Sequence, residues 1–161
     1  MLRFHLLGPL EVLHGQRLVA IPRRKPRALL AALLLRGGEV VSADRLIDDL
    51  WGERAPATAK VALQNYVSFL RKLLGPETVA TRPSGYLLHV DPDQVDLRRF
   101  ERLSAEARAA ASREERAAML RKALALWRGP PLADLAFEPF ALLETPRLEE
   151  LRRSGDRKSV V

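Results

Sequence analysis

Apolar and polar positions alternate over the first twenty residues in three short runs, RFHLLG, PLEVLHG and RLVAIP. Gly8-Pro9 and Gly15-Gln16 divide the runs, so the pattern predicts a small antiparallel meander. The period then changes from two to that of a helix. Pro26 is a favoured first-turn residue, and RALLAALLLR is apolar on most sides, which predicts a central core helix ending at Gly37-Gly38. GEVVS reads as a short extended link. Ser42 is placed as the N-cap of ADRLIDDLWG, with Asp44 in its first turn and Gly52 as its stop. A loop, GERAP, leads to a helix over AKVALQNYVSFLRKLLG, residues 59–75, closed by Gly75-Pro76. TVATRPSGYLLHV then predicts two strands about the turn Arg82-Pro83-Ser84-Gly85.

Two helices joined by a short loop and followed by a β-hairpin form the order of a winged helix-turn-helix. From Val95 the pattern changes. VDLRRFERLSAEARAAA and REERAAMLRKALALW are Ala-, Leu-, Arg- and Glu-rich, with apolar residues recurring at Leu97, Phe100, Leu103 and Ala107, then at Ala117, Leu120, Leu124 and Trp127. Gly129-Pro130-Pro131 breaks the chain, and FEPFALLETPRLEELRR starts a further helix. The fold class expected is therefore α+β, a winged helix-turn-helix followed by an all-α, tetratricopeptide-like segment of about one and a half repeats. The expected division is 1–92 for the winged helix, 93–155 for the helical segment and 156–161 for a tail. That tail, DRKSVV, continues no helical pattern and matches what a common sequencing adapter encodes, so it is expected to be non-native.

Angular sorting at ~100° per residue divides the 59–75 helix into two arcs. Leu63, Tyr66, Val67, Leu70, Leu73 and Leu74 share one, with Ala62 and Phe69 at its border. Lys60, Gln64, Asn65, Ser68, Arg71 and Lys72 fill the other, together with Val61. A solvated helix face usually mixes both signs of charge, and this one has no acid over four turns. Lys and Arg neutralise phosphates, Arg can bridge guanine O6 and N7, and Gln or Asn can bridge adenine N6 and N7. Val61 fits a thymine methyl or closes the turn against the core. The plainer alternatives are an ordinary solvated face or a groove for a partner protein.

Charge distribution agrees with an anionic partner for the first part. Residues 1–90 hold 13 Lys and Arg against 7 Asp and Glu, whereas residues 91–161 hold 14 against 13. With 161 residues, 47% of them hydrophobic, the chain can bury one good core and begin a second. The absence of cysteine excludes disulfides, thiolate nucleophiles and cysteine zinc sites. The longest apolar run, Ala28 to Leu35, is far short of the ~20 residues that span a bilayer, and the N-terminus is not a signal peptide, so a cytoplasmic protein without a membrane partner is expected.

The string from FHLLGPLEVLHG through LLAALLLRGGEVVSADRLIDDLWGERAPATAKVALQNYVSFLRKLLG and TRPSGYLLHVDPDQVDLRRFE to ALALWRG resembles the SARP-type antibiotic regulatory proteins of actinomycetes. Their pattern is an OmpR-type winged helix followed by a bacterial transcriptional activator domain, and the likeness runs over about residues 2–153. LxxxLWGExxPxTA, LQxYVSxLRKxLG and TRPxGYLL, in that order, carry it. The resemblance implies sequence-specific binding to direct repeats of double-stranded DNA in promoters of biosynthetic clusters. It further implies recruitment of RNA polymerase through its sigma factor or alpha subunit. The helix at 56–74 would be the recognition helix and the hairpin at 78–90 the wing. Glu53 and Arg54, in the loop 52–57, would face the polymerase, and the C-terminal helices would support homodimers and activation. Two departures stand out. The family commonly reads V-S-R-L-R in the recognition helix, and here Phe69 takes the place of that first Arg; the activator domain is also shorter.

Among the remaining residues, Arg82 is the expected wing contact, and Arg23, Arg24 and Lys25 are candidates to grip phosphate beside the first helix. Trp51 and Trp127 are expected as core anchors, Tyr86 as the residue holding the wing on the core, and Asp44, Asp48 and Asp49 as solvated charge. His5, His14 and His89 are scattered with no metal-ligand spacing, and no P-loop, GxGxxG or GxSxG pattern occurs, so neither a metal nor a cofactor nor catalysis is expected. The alternative to a DNA-binding activator is a protein-interaction scaffold built from the same two units.

Overall fold

The computed structural model describes residues 1–159. Strands β1 (Leu2–His5), β2 (Glu11–His14) and β3 (Arg17–Leu18) form the expected antiparallel meander, with Phe4 opposite Val12 and Leu13 opposite Leu18. Helix α1 (Arg24–Leu35) lies at the centre of the core: every residue from Ala28 to Leu35 is buried, as its all-round apolar sequence requires. Helix α2 (Ala43–Trp51) begins where expected, the Ser42 hydroxyl accepting the Arg45 N–H at 3.1 Å. A single 3-10 turn, Gly52–Arg54, replaces the expected irregular loop before α3 (Ala59–Leu74).

The hairpin of β4 (Val79–Arg82) and β5 (Gly85–Leu88) follows, with Arg82 opposite Gly85. GEVVS is more than a link. Val41 exchanges both backbone hydrogen bonds with Tyr86, at 2.8 and 2.9 Å, so it ties the hairpin to the start of α2. This tie requires glycine at 85, because a Cβ there would lie 2.0 Å from the Val41 carbonyl oxygen. A second tie comes from α3. Arg71 donates from Nε to the Val79 carbonyl at 2.9 Å and from its terminal amine to the Thr81 hydroxyl at 2.8 Å.

The helical segment comprises α4 (Asp96–Arg108), α5 (Arg113–Leu124) and α6 (Pro139–Ser159). Leu97, Phe100 and Ala107 of α4 face Ala117, Leu120 and Ala123 of α5 in the buried interior, and the Trp127 ring meets Phe100 edge-on at 5.4 Å. The expected break in helical pattern after residue 155 does not occur. The helix continues through Ser159: Gly155 packs against Leu124 and Phe100, and Arg157 pairs with Glu150 at 3.0 Å. Val160 and Val161 lie outside the described residues.

One hydrophobic core runs through both parts, from Phe4 and Leu7 through α1 to Trp127, Leu135 and Leu148. Carboxylates stitch the two together. Asp96 accepts the backbone N–H groups of Leu6 and Leu7 at 2.7 and 3.0 Å, where the chain leaves β1. Burial pushes the Asp96 carboxyl above its ordinary range, while the N–H groups of Leu6 and Leu7 favour the charged form and oppose that rise. Asp134 accepts the Leu10 N–H at 2.9 Å and also pairs with Arg27. Glu138, with 1% of its side chain exposed, binds Arg24 at 2.8 Å and Lys25 at 2.9 Å. Arg98 reaches back to the Leu35 carbonyl at 2.8 Å, satisfying the C-terminal end of α1.

Asp49 does not lie in solvent with Asp44 and Asp48. It is buried, 3.4 Å from Arg36 and 3.5 Å from Arg45, because α2 turns this position towards the end of α1. Desolvation raises its carboxyl above the usual value, with the two arginines acting against that rise.

Two predictions follow from these ties. Asp96→Ala removes the acceptor for two buried N–H groups and should lower the unfolding free energy by about 2–4 kcal/mol, read by urea denaturation; a loss under 0.5 kcal/mol would contradict this role. Arg71→Ala should loosen the hairpin before the rest of the fold. Amide exchange at residues 79–88 should quicken while exchange in α1 stays unchanged, and uniform protection would contradict the bracing role.

Candidate nucleic-acid interface

The angular sort of α3 is reproduced by burial. Ala59, Leu63, Val67 and Leu70 are buried against the core, and Tyr66, Phe69 and Leu74 pack partly buried beside them. Leu73 departs from its expected arc and is 37% exposed. Lys60, Val61, Gln64, Asn65, Ser68 and Lys72 are all exposed on the outer face. Val61 is thus resolved: it is 57% exposed among polar neighbours and does not close the turn on the core. Among the described residues, none of Lys60, Gln64, Asn65, Ser68 and Lys72 spends its side chain on an ion pair or hydrogen bond. The face therefore presents two cations, two amides, a hydroxyl and a branched apolar group, all free for an outside partner.

Arg71 does not share this freedom. Its guanidinium is engaged by Val79 and Thr81, so it braces the hairpin against one edge of α3. Arg82 is exposed at the hairpin tip and bonds only the carbonyl of its neighbour Thr81, at 3.0 Å. Tyr86 is half-buried and packs on the core, as expected for a residue holding the wing.

The three cations before α1 separate into two groups. Arg24 and Lys25 point to Glu138, and Lys25 also donates to the Leu50 carbonyl and lies 5.6 Å from the Trp51 ring. Both share this one buried carboxylate, and 63% of the Arg24 side chain stays exposed, so the pair keeps a net positive charge. Arg23 remains exposed, its guanidinium 5.6 Å from the Tyr66 ring centre and 5.3 Å from that of Phe69. Trp51 is half-buried and stacks with Tyr66 at 6.1 Å, so it closes the same aromatic cluster instead of sitting deep in the core. Glu53 and Arg54 are exposed on the 3-10 turn, where Gly52 approaches Pro139.

Glu138 escaped the sequence reading. It sits alone in the apolar string LAFEPFALL, and a lone acid in an apolar string is a signal for a paired buried charge, although Phe137, Leu142 and Leu143 of that string are exposed. Its partners lie more than a hundred residues away and leave no local trace. Among the described residues, no cluster of His, Asp and Glu could hold a metal, and no helix is long and apolar enough to cross a membrane.

Comparison with known proteins gives this arrangement a lineage. Residues 20–88 match the family described as transcriptional regulatory protein, C terminal, and residues 95–158 match the bacterial transcriptional activator domain. The chain is 40% identical over 154 residues to the regulatory protein AfsR of Streptomyces griseus, covering 94% of this chain and 16% of that one. It is 38% identical over 165 residues to the regulatory protein DnrI of Streptomyces peucetius, covering 94% of this chain and 61% of that one. The solved structure of Mycobacterium tuberculosis EmbR, in complex with a low-affinity phosphopeptide, superposes with a TM-score of 0.90 at 36% identity, over 96% of this chain and 43% of that one. The chain thus spans between about a sixth and three-fifths of the length of these relatives. The chain belongs to the SARP-type family, an OmpR-type winged helix joined to a bacterial transcriptional activator domain.

Proposed function

We propose that the chain binds double-stranded DNA sequence-specifically, with α3 in the major groove and the β4–β5 hairpin at the adjacent minor groove. The observation that carries this reading is the acid-free outer face of α3, where Lys60, Gln64, Asn65, Ser68 and Lys72 have no partner among the described residues. A major groove about 12 Å wide admits one helix, and the hairpin is fixed to the flank of α3 by Arg71. In this arrangement Gln64 and Asn65 read base edges, Ser68 hydrogen-bonds to a base or phosphate, and Val61 touches a thymine methyl. Lys60, Lys72 and Arg82 neutralise phosphates.

The activity proposed is transcriptional activation at direct repeats in the promoters of a secondary-metabolite cluster, as the family resemblance implies. Glu53 and Arg54 are exposed on the 3-10 turn between α2 and α3, and they are the proposed contact for RNA polymerase. Homodimerisation through the helical segment would place two such faces on successive repeats.

Binding to promoter DNA carrying the repeats should fall by orders of magnitude between low and above-physiological salt. Gln64→Ala should cost about 1–3 kcal/mol and change base preference, whereas Lys72→Ala should weaken all sequences alike and reduce the salt slope by about one. Equal behaviour of the two variants would reduce α3 to a positioning element. Capture of a protein partner with no shift of any promoter fragment would favour a scaffold instead.

A further inference from the structure

The edge of α3 away from the hairpin carries a cation that α3 does not encode. Phe69 at this edge is half-buried and cannot neutralise a phosphate. The guanidinium of Arg23 lies 5.3 Å from the centre of that ring and 5.6 Å from Tyr66, one turn away on the same side. We propose that Tyr66 and Phe69 form an aromatic shelf that holds Arg23 as a DNA-backbone contact, supplying from the N-cap of α1 the charge that Phe69 cannot carry. The proposal rests on the DNA-binding reading above.

Three observations converge on it. Arg23 precedes α1 in extended conformation and makes no side-chain capping bond, so its side chain is not consumed by the helix start. Arg24 and Lys25 are both paired with Glu138, which leaves Arg23 the one cation of the trio without a carboxylate partner among the described residues. The third observation is position. Phe69 follows Asn65 by four residues, about 40° around the helix, so Arg23 stands at the border of the outer face. The opposite border is closed by the hairpin that carries Arg82.

A helix lying in the major groove is flanked by two phosphate strands, and each border of the contact surface should carry positive charge. Arg82 supplies it on one side and Arg23 on the other. A guanidinium spread over aromatic rings keeps its charge and its outward-facing N–H groups, so the shelf fixes its place without neutralising it. The shelf makes Phe69 a positioning residue, which acts through Arg23 and not by touching DNA itself.

The test uses the full chain and a duplex that the unaltered protein itself selects from a random-sequence pool. Arg23→Met keeps the apolar stem on the shelf and removes the charge. It should weaken binding about three- to tenfold at near-physiological salt, lower the slope of log K against log salt by about 0.9, and leave the selected sequence unchanged. Arg23→Lys should retain the slope. Phe69→Arg in the Arg23→Met background should restore it, with thermal unfolding confirming that each variant is folded. An unchanged slope in Arg23→Met while the unaltered chain binds would overturn this proposal and leave the DNA-binding reading standing. Failure of the unaltered chain to select any duplex would overturn both.

Discussion

Glu138 is a carboxylate with almost no access to water, held by two cations that come from the other end of the sequence. Burying such a group without partners would cost several kcal/mol, so the position of Glu138 and the position of the α1 N-terminus are set together. Much of the architecture depends on that constraint. α1 is the element against which α2 and α3 pack, and its first turn is fixed to the segment leading into α6. Asp96 and Asp134 repeat the arrangement at the meander, each accepting a backbone N–H from the chain between β1 and β2. The value of these bonds is geometric more than energetic, since a buried ion pair roughly offsets its own desolvation while still penalising any other alignment of the two parts.

The same constraint shapes the candidate interface. By pairing with Arg24 and Lys25, Glu138 leaves Arg23 as the cation of the trio without a carboxylate partner among the described residues, and Lys25 adds a contact to Trp51, which stacks on Tyr66. On the far side of α3, Arg71 and the paired backbone of Val41 and Tyr86 hold the hairpin. The outer face is thus framed by two rigid borders and carries side chains with no internal obligations. A surface of this kind is prepared in advance, so little conformational entropy remains to be lost when a partner arrives.

Much of this was legible from residue order alone. The change from alternation to helical period after Pro22, the Ser42 cap, the RPSG turn and the one-sided polarity of α3 are local signals, and each reappears in the structure. The errors share a physical cause: they concern charges whose partners are remote. Asp49 reads as solvated because Arg36 lies on another helix, Arg71 reads as unpartnered because Thr81 lies across a turn, and Arg24 and Lys25 read as unpaired because Glu138 is over a hundred residues away. Helical angle tells which way a side chain leaves its own helix. It does not tell whether another element is waiting there. The continuation of α6 beyond Gly155 was missed for a similar reason, since packing against Phe100 and Leu124 offsets the poor intrinsic helix preference of glycine.

The central claim, that the outer face of α3 and the hairpin tip meet DNA, is tested most directly by following backbone amide resonances of the isotopically labelled chain during titration with a promoter duplex. The account predicts shifts concentrated at Lys60, Gln64, Asn65, Ser68, Lys72 and Arg82, with the buried residues of α4 and α5 undisturbed. Shifts confined to the helical segment, or none at all at salt low enough to favour phosphate contacts, would contradict it.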